Sequence, residues 1–107
     1  MLQFLIRLRP VRPGFLDATS PEEDRIVDDH FCYLQRLAKA EVVLLAGRTT
    51  NTDPSGFGIV LLRAENEETA RQVMHDDPAV RAGVFQAELF PYRIALVSPE
   101  GLEPAIR

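Results

Sequence analysis

The sequence predicts a small α+β domain with four antiparallel strands and two helices on one face of the sheet. Three observations predict it. Apolar periodicity alternates along the chain in the order strand, helix, strand, strand, helix, strand. The two middle strands are separated only by a dense turn signal, Asn51-Thr52-Asp53-Pro54-Ser55-Gly56, which makes them a hairpin. The run from Phe57 to Ala64 is apolar on both of its faces, so a helix layer covers one face and something else must cover the other.

The elements follow in order. Leu2, Phe4, Ile6 and Leu8 alternate with Gln3, Leu5, Arg7 and Arg9, a first strand that Pro10, Pro13 and Gly14 terminate. Ser20-Pro21-Glu22-Glu23 is a helix start: serine caps, proline suits the first helical position, and Glu23 completes a capping box. Val27, Phe31, Leu34 and Ala38, with Leu37 beside them, form the apolar stripe of a helix ending near Ala40. A second strand is expected from Val42 to about Thr50, and a third over Phe57–Ala64. Asn66 caps a second helix with the stripe Ala70, Val73 and Met74. Asp77-Pro78 ends it and starts a short helical turn that stops at Gly83. Val84–Phe90 reads as the last core strand, interrupted by Pro91, with Tyr92–Val97 continuing as an extended edge or exchanged segment. This βαββαβ order is the ferredoxin-like arrangement. Residues 1–97 form one domain, and residues 98–107 a tail with two prolines and a glycine.

Composition narrows the function classes. The 107 residues carry 16 acidic and 12 basic side chains, a net charge of −4. The basic residues are scattered, which argues against nucleic acid as a partner. No apolar run approaches the roughly 20 residues that span a bilayer, and the first nine residues lack the pattern of a signal peptide. The single cysteine, Cys32, excludes an intrachain disulfide, so the expected location is cytoplasmic. There is no glycine-rich phosphate loop, nucleophile elbow or metal-ligand cluster, and neither a cofactor nor a metal is expected.

Two polar residues break the apolar pattern. His30 lies three residues after Val27 and four before Leu34, so it projects from the apolar side of the first helix. Asp77 lies three residues after Met74, and would face inward were the second helix to reach it. An aspartate before proline is also a good helix cap, and its two oxygens allow both roles. A carboxylate paired with an imidazole fixes the ring tautomer and leaves the other nitrogen as a general base. The plainer alternative is a structural histidine beside a capping aspartate. Gly47 and Gly58 read as backbone-geometry residues that could also let a ligand approach, and Arg7 and Arg93 as strand residues able to bind an anionic substrate, with paired surface arginines as the plainer alternative.

His30-x-x-Tyr33-Leu34, Leu44-Leu45-Ala46-Gly47, Gly58-Ile59-Val60-Leu61-Leu62, Glu67-Glu68-Thr69-Ala70 and Asp77-Pro78-Ala79-Val80-Arg81-Ala82-Gly83-Val84-Phe85 together resemble the YciI-like (YCII-related) family, over about Leu2 to Tyr92. The resemblance implies a dimeric α+β barrel, in which two open sheets close face to face as a homodimer. It also implies that His30 and Asp77 are the active-site pair. A dehydrochlorinase of aromatic degradation belongs to the family, and muconolactone isomerase is a more distant relative. The implied chemistry is therefore lyase- or isomerase-type proton transfer on a small molecule, without a metal. The alternatives are a non-catalytic small-ligand-binding or accessory dimer, and a purely structural dimer. Glu41 stands where the family usually has glycine, Arg48 where it has proline, and Tyr92 where it often has tryptophan. These departures bear on the shape of the pocket.

Overall fold

The computed structural model describes residues 1–105; Ile106 and Arg107, the end of the expected tail, lie outside the described residues. Strand β1 (Leu2–Pro10) leads to helix α1 (Pro21–Lys39) and strand β2 (Val43–Arg48). Strand β3 (Gly58–Ala64), helix α2 (Glu67–His75), the short helix α3 (Pro78–Arg81) and strand β4 (Phe85–Tyr92) follow. The sheet order is β2-β3-β1-β4 and every pairing is antiparallel, as the ferredoxin-like arrangement requires.

Register separates the two faces of the sheet. Phe4 pairs with Leu62 and Ile6 with Val60, and these side chains meet Leu34, Ala70 and Met74 of the helices in one core. Leu62 at its centre is fully buried. The opposite face carries Leu5 paired with Leu61 and with Phe90, and Leu45 paired with Leu61. No helix of the described residues covers it, and Phe90 and Tyr92 are 39% and 47% exposed.

The start of α1 follows from its sequence. The Ser20 hydroxyl accepts from the Glu23 amide at 3.1 Å, and the Glu23 carboxylate accepts from the Ser20 amide at 2.9 Å. Arg12 adds two bonds to Glu23, each at 2.8 Å, and so ties the loop before the helix to its first turn. These donors, Arg12 first, hold the Glu23 carboxyl at about 2, well below its ordinary 4.5. A group with a depressed folded-state value stabilises fully above its ordinary value and loses that contribution as pH falls toward the depressed one. Glu23→Gln is therefore expected to destabilise the protein at pH 7 and to match the parent near pH 2, a comparison made by urea unfolding at both pH values. A gap between the two proteins that did not shrink in acid would contradict this account.

A tight reversal joins α1 to β2. Glu41 has a φ of +63°, in the left-handed region that favours glycine. Its carbonyl accepts from Arg63 Nε at 2.7 Å, and its exposed carboxylate lies 3.1 Å from the same guanidinium. An exposed pair of this kind contributes little, whereas a side chain at positive φ costs about 1 kcal/mol. Glu41→Gly is thus expected to raise stability by about 0.5 kcal/mol or more, read as a higher urea midpoint. A lower midpoint would show that the ion pair outweighs the strain.

Three expectations are corrected by the coordinates. β2 is shorter than expected, because Val42 belongs to the reversal and donates to the Leu37 carbonyl at 2.9 Å. β4 runs through Pro91, which pairs with Phe4, and ends at Tyr92. Proline is tolerated there because β4 is a sheet edge. Residues 93–105 hold no helix or strand, although the Ile94 amide still donates to the Gln3 side chain at 2.8 Å. The buried side of α1 is also rotated from the expected stripe. Ile26, Val27, His30, Tyr33, Leu34 and Leu37 turn inward, while Ala38 is exposed and Phe31 is 60% exposed. Phe31 and Ala38 border a cavity instead of the sheet.

Candidate active site

A cavity of about 780 Å³ lies between residues of α1 and residues of β2 and β3. Its walls are mainly apolar: Phe15, Phe31, Leu34, Val43, Val60 and Phe85 contribute. His30 reaches the cavity from α1.

The ring of His30 is held on two sides. Its Nδ1 lies 2.7 Å from Asp77 Oδ2 and 2.9 Å from Oδ1. Its plane stands edge-on to Phe85, centroids 5.3 Å apart, and Phe85 in turn meets Phe15 at 5.5 Å. Asp77 is 4% exposed, the one buried charged residue among those described. It does not reach inward as part of the α2 stripe, since α2 ends at His75. Asp77 instead caps α3, where its Oδ1 accepts from the Ala79 amide at 2.9 Å. That bond fixes the carboxylate before it fixes the histidine.

A carboxylate accepts hydrogen bonds and cannot donate them, so Nδ1 carries the proton of this pair. In the neutral ring Nε2 is then the nitrogen with the lone pair. It has no hydrogen-bond partner among the described residues. Among the described residues no buried side-chain nitrogen or oxygen lacks a partner, so Nε2 is reached by solvent. The arrangement is a positioned imidazole with an open basic nitrogen beside an apolar cavity, chemically competent to take up and return a proton.

Tyr33 reinforces the frame. Its hydroxyl donates to the Val73 carbonyl at 2.8 Å, pinning α1 to α2, and burial pushes it up to about 12. It stays a neutral donor at ordinary pH.

The structure divides the other sequence candidates. Gly47 and Gly58 border the same cavity as His30. Arg7 lies on the opposite face of the sheet, bonded to Glu88 at 2.6 Å and 5.7 Å from the Phe90 ring centroid. Arg93 is exposed beyond the end of β4 and not on a strand, because the edge strand releases at Tyr92. Cys32 is exposed. No cluster of three or more metal-ligating side chains occurs among the described residues. No helix among them is long and apolar enough to cross a membrane. Phe15 and Phe85, which frame the histidine, were not marked by the sequence as site residues. The only signal was the place of Phe85 at the end of the Asp77–Phe85 motif.

The chain is a small α+β domain in which a histidine of α1 meets the aspartate that caps α3. The chain belongs to the YCII-related domain family, whose profile matches residues 4–92. Among solved structures it is similar to the 5-chloro-2-hydroxyhydroquinone dehydrochlorinase (TftG) from Burkholderia phenoliruptrix AC1100, in complex with 2,5-dihydroxybenzoquinone. The identity is 24% and the TM-score 0.63, over 86% of this chain and 94% of that one. At that identity the likeness is one of fold. No curated protein matches the sequence.

Proposed function

We propose that this protein is a small-molecule enzyme in which His30 moves a proton to or from a substrate held in the cavity, in a reaction of the lyase or isomerase type. The observation that carries the reading is the His30–Asp77 contact at 2.7 Å, which leaves Nε2 open beside an apolar cavity. In an elimination, Nε2 accepts the proton, a π bond forms, and the leaving group departs with its bonding pair. In an isomerisation, the protonated ring returns the proton to another carbon. Asp77 orients the ring and offsets the positive charge it gains.

The dehydrochlorinase of the similar fold supplies the first test substrate. Wild-type protein incubated with 5-chloro-2-hydroxyhydroquinone should release chloride, read by ion chromatography. Binding of 2,5-dihydroxybenzoquinone with no chloride release from the chlorinated compound would favour a non-catalytic small-ligand module.

The working form we propose is a homodimer joined through the uncovered sheet face. Leu5, Leu45, Leu61 and Phe90 form its apolar centre, and Arg7 with Glu88 supplies both charge signs beside it. A face with an apolar centre and both signs at its margin can complement itself across a two-fold axis.

A further inference from the structure

Among the described residues, Arg48 is the one arginine on the cavity wall. It stands at the end of β2, opposite Gly58, which itself pairs with Leu8. These three positions share a row of the sheet, so the Arg48 side chain leaves on the face of Leu8, the cavity side. Gly58 presents bare backbone there: a Cβ on it would sit 3.8 Å from Arg48 Cβ and 3.9 Å from Leu8 Cβ. The five ion-paired arginines of the described residues are Arg7, Arg9, Arg12, Arg63 and Arg71. Arg48 is not among them. Among the described residues its side chain makes one hydrogen bond, a long contact of 3.4 Å from Nη1 to the carbonyl of its neighbour Thr49.

The opposite wall has the other sign. Asp24 and Asp28 border the cavity from α1, and Asp24 accepts from the Thr19 hydroxyl. An ionised oxygen entering the cavity is repelled by the helix wall and attracted to the strand wall. We infer that Arg48 anchors an ionised oxygen of the substrate, so that the cavity takes small planar anions, phenolates or carboxylates, held with the charged oxygen at β2. The inference rests on the reading of the cavity as a substrate site, and it adds the substrate class and the orientation. Anchoring at β2 makes the molecule span from Arg48 toward His30, so that binding and proton transfer use different ends of it. A guanidinium offers two parallel donors to such an oxygen or carboxylate, which an ammonium does not.

The test is isothermal titration of four probes into the full chain: 2,5-dihydroxybenzoquinone, 2,5-dimethoxybenzoquinone, benzoate and benzamide. The first and third are anions, and the others are their neutral counterparts. The wild type should bind an anion at least tenfold tighter than its neutral partner, and the tighter of the two anions identifies phenolate or carboxylate as the charged group. Arg48→Gln should weaken the anions by about 10- to 100-fold, the range for hydrogen bonds to charged groups, and leave the neutral probes unmoved. Arg48→Lys should recover part of the loss. Arg81→Gln, which removes an exposed arginine of α3 away from the cavity, should match the wild type. Equal affinity for neutral and charged probes, an unaffected Arg48→Gln, or no binding of either anion would overturn the anchor. The two readings fail separately. Chloride release that ignores Arg48→Gln would overturn the anchor and leave proton transfer standing. Arg48-dependent anion binding without any turnover would overturn proton transfer and support the anchor.

Discussion

His30→Asn is expected to lower chloride release from 5-chloro-2-hydroxyhydroquinone by about 10²- to 10⁴-fold, the usual contribution of a positioned acid or base. The variant keeps a polar group of modest size at a partly buried position, so folding should survive. Melting and affinity for 2,5-dihydroxybenzoquinone separate lost chemistry from lost structure. Asp77→Asn gives the sharper result. Its side-chain oxygen can still accept from the Ala79 amide, so the α3 cap of 2.9 Å is retained. The amide nitrogen, however, faces His30 as a donor, which favours the ring tautomer with the proton on Nε2. Activity should fall while the fold remains, and the ring ¹⁵N shifts should report the tautomer exchange. Undiminished turnover in His30→Asn would remove His30 from the chemistry.

Phe90→Glu is expected to separate the proposed dimer. Phe90 stands opposite Leu5 on the uncovered face and is already 39% exposed in the single chain. The substitution costs the fold little, but places like charges close together across a two-fold interface and strips its apolar centre. Sedimentation equilibrium of the parent should give about twice the chain mass of 12.0 kDa, and the variant should give the chain mass. A parent that sediments as a monomer at micromolar concentration would refute the interface, and an unchanged dimer in Phe90→Glu would place it elsewhere.

Much of this architecture was legible because its signals are local. The capping box at Ser20 and Glu23, the Asn66 cap and the Asp77-Pro78 start of α3 all stand where the sequence put them. His30 was legible as a polar interruption of an apolar helix side, and Asp77 as a cap with an oxygen to spare. What escaped depended on geometry that spacing does not encode. The α1 stripe was read one position away from its buried side because Phe31 and Ala38 are apolar for the cavity rather than for the sheet. Periodicity cannot distinguish the two uses. Pro91 reads as an interruption because spacing does not show that pairing with β1 continues through it. Arg93 lost its place on a strand for a related reason, since the point where an edge strand releases depends on its neighbour. Arg48 was visible only as a departure from the family pattern, and its meaning came with the cavity.

The double use of Asp77 divides the cavity into two parts with unequal freedom to change. One side chain closes the first turn of α3 and orients His30, so the same atoms serve local folding and the proposed chemistry. Glutamate there would alter the reach, and alanine would forfeit both bonds at once. Arg48 and Gly47 carry no such double duty: Arg48 makes one weak contact to its neighbour, and nothing lies within 4 Å of a Cβ placed on Gly47. A lineage built on this scaffold could therefore retune which molecule it accepts by substitutions along β2, while Asp77 is constrained by its second task at the start of α3.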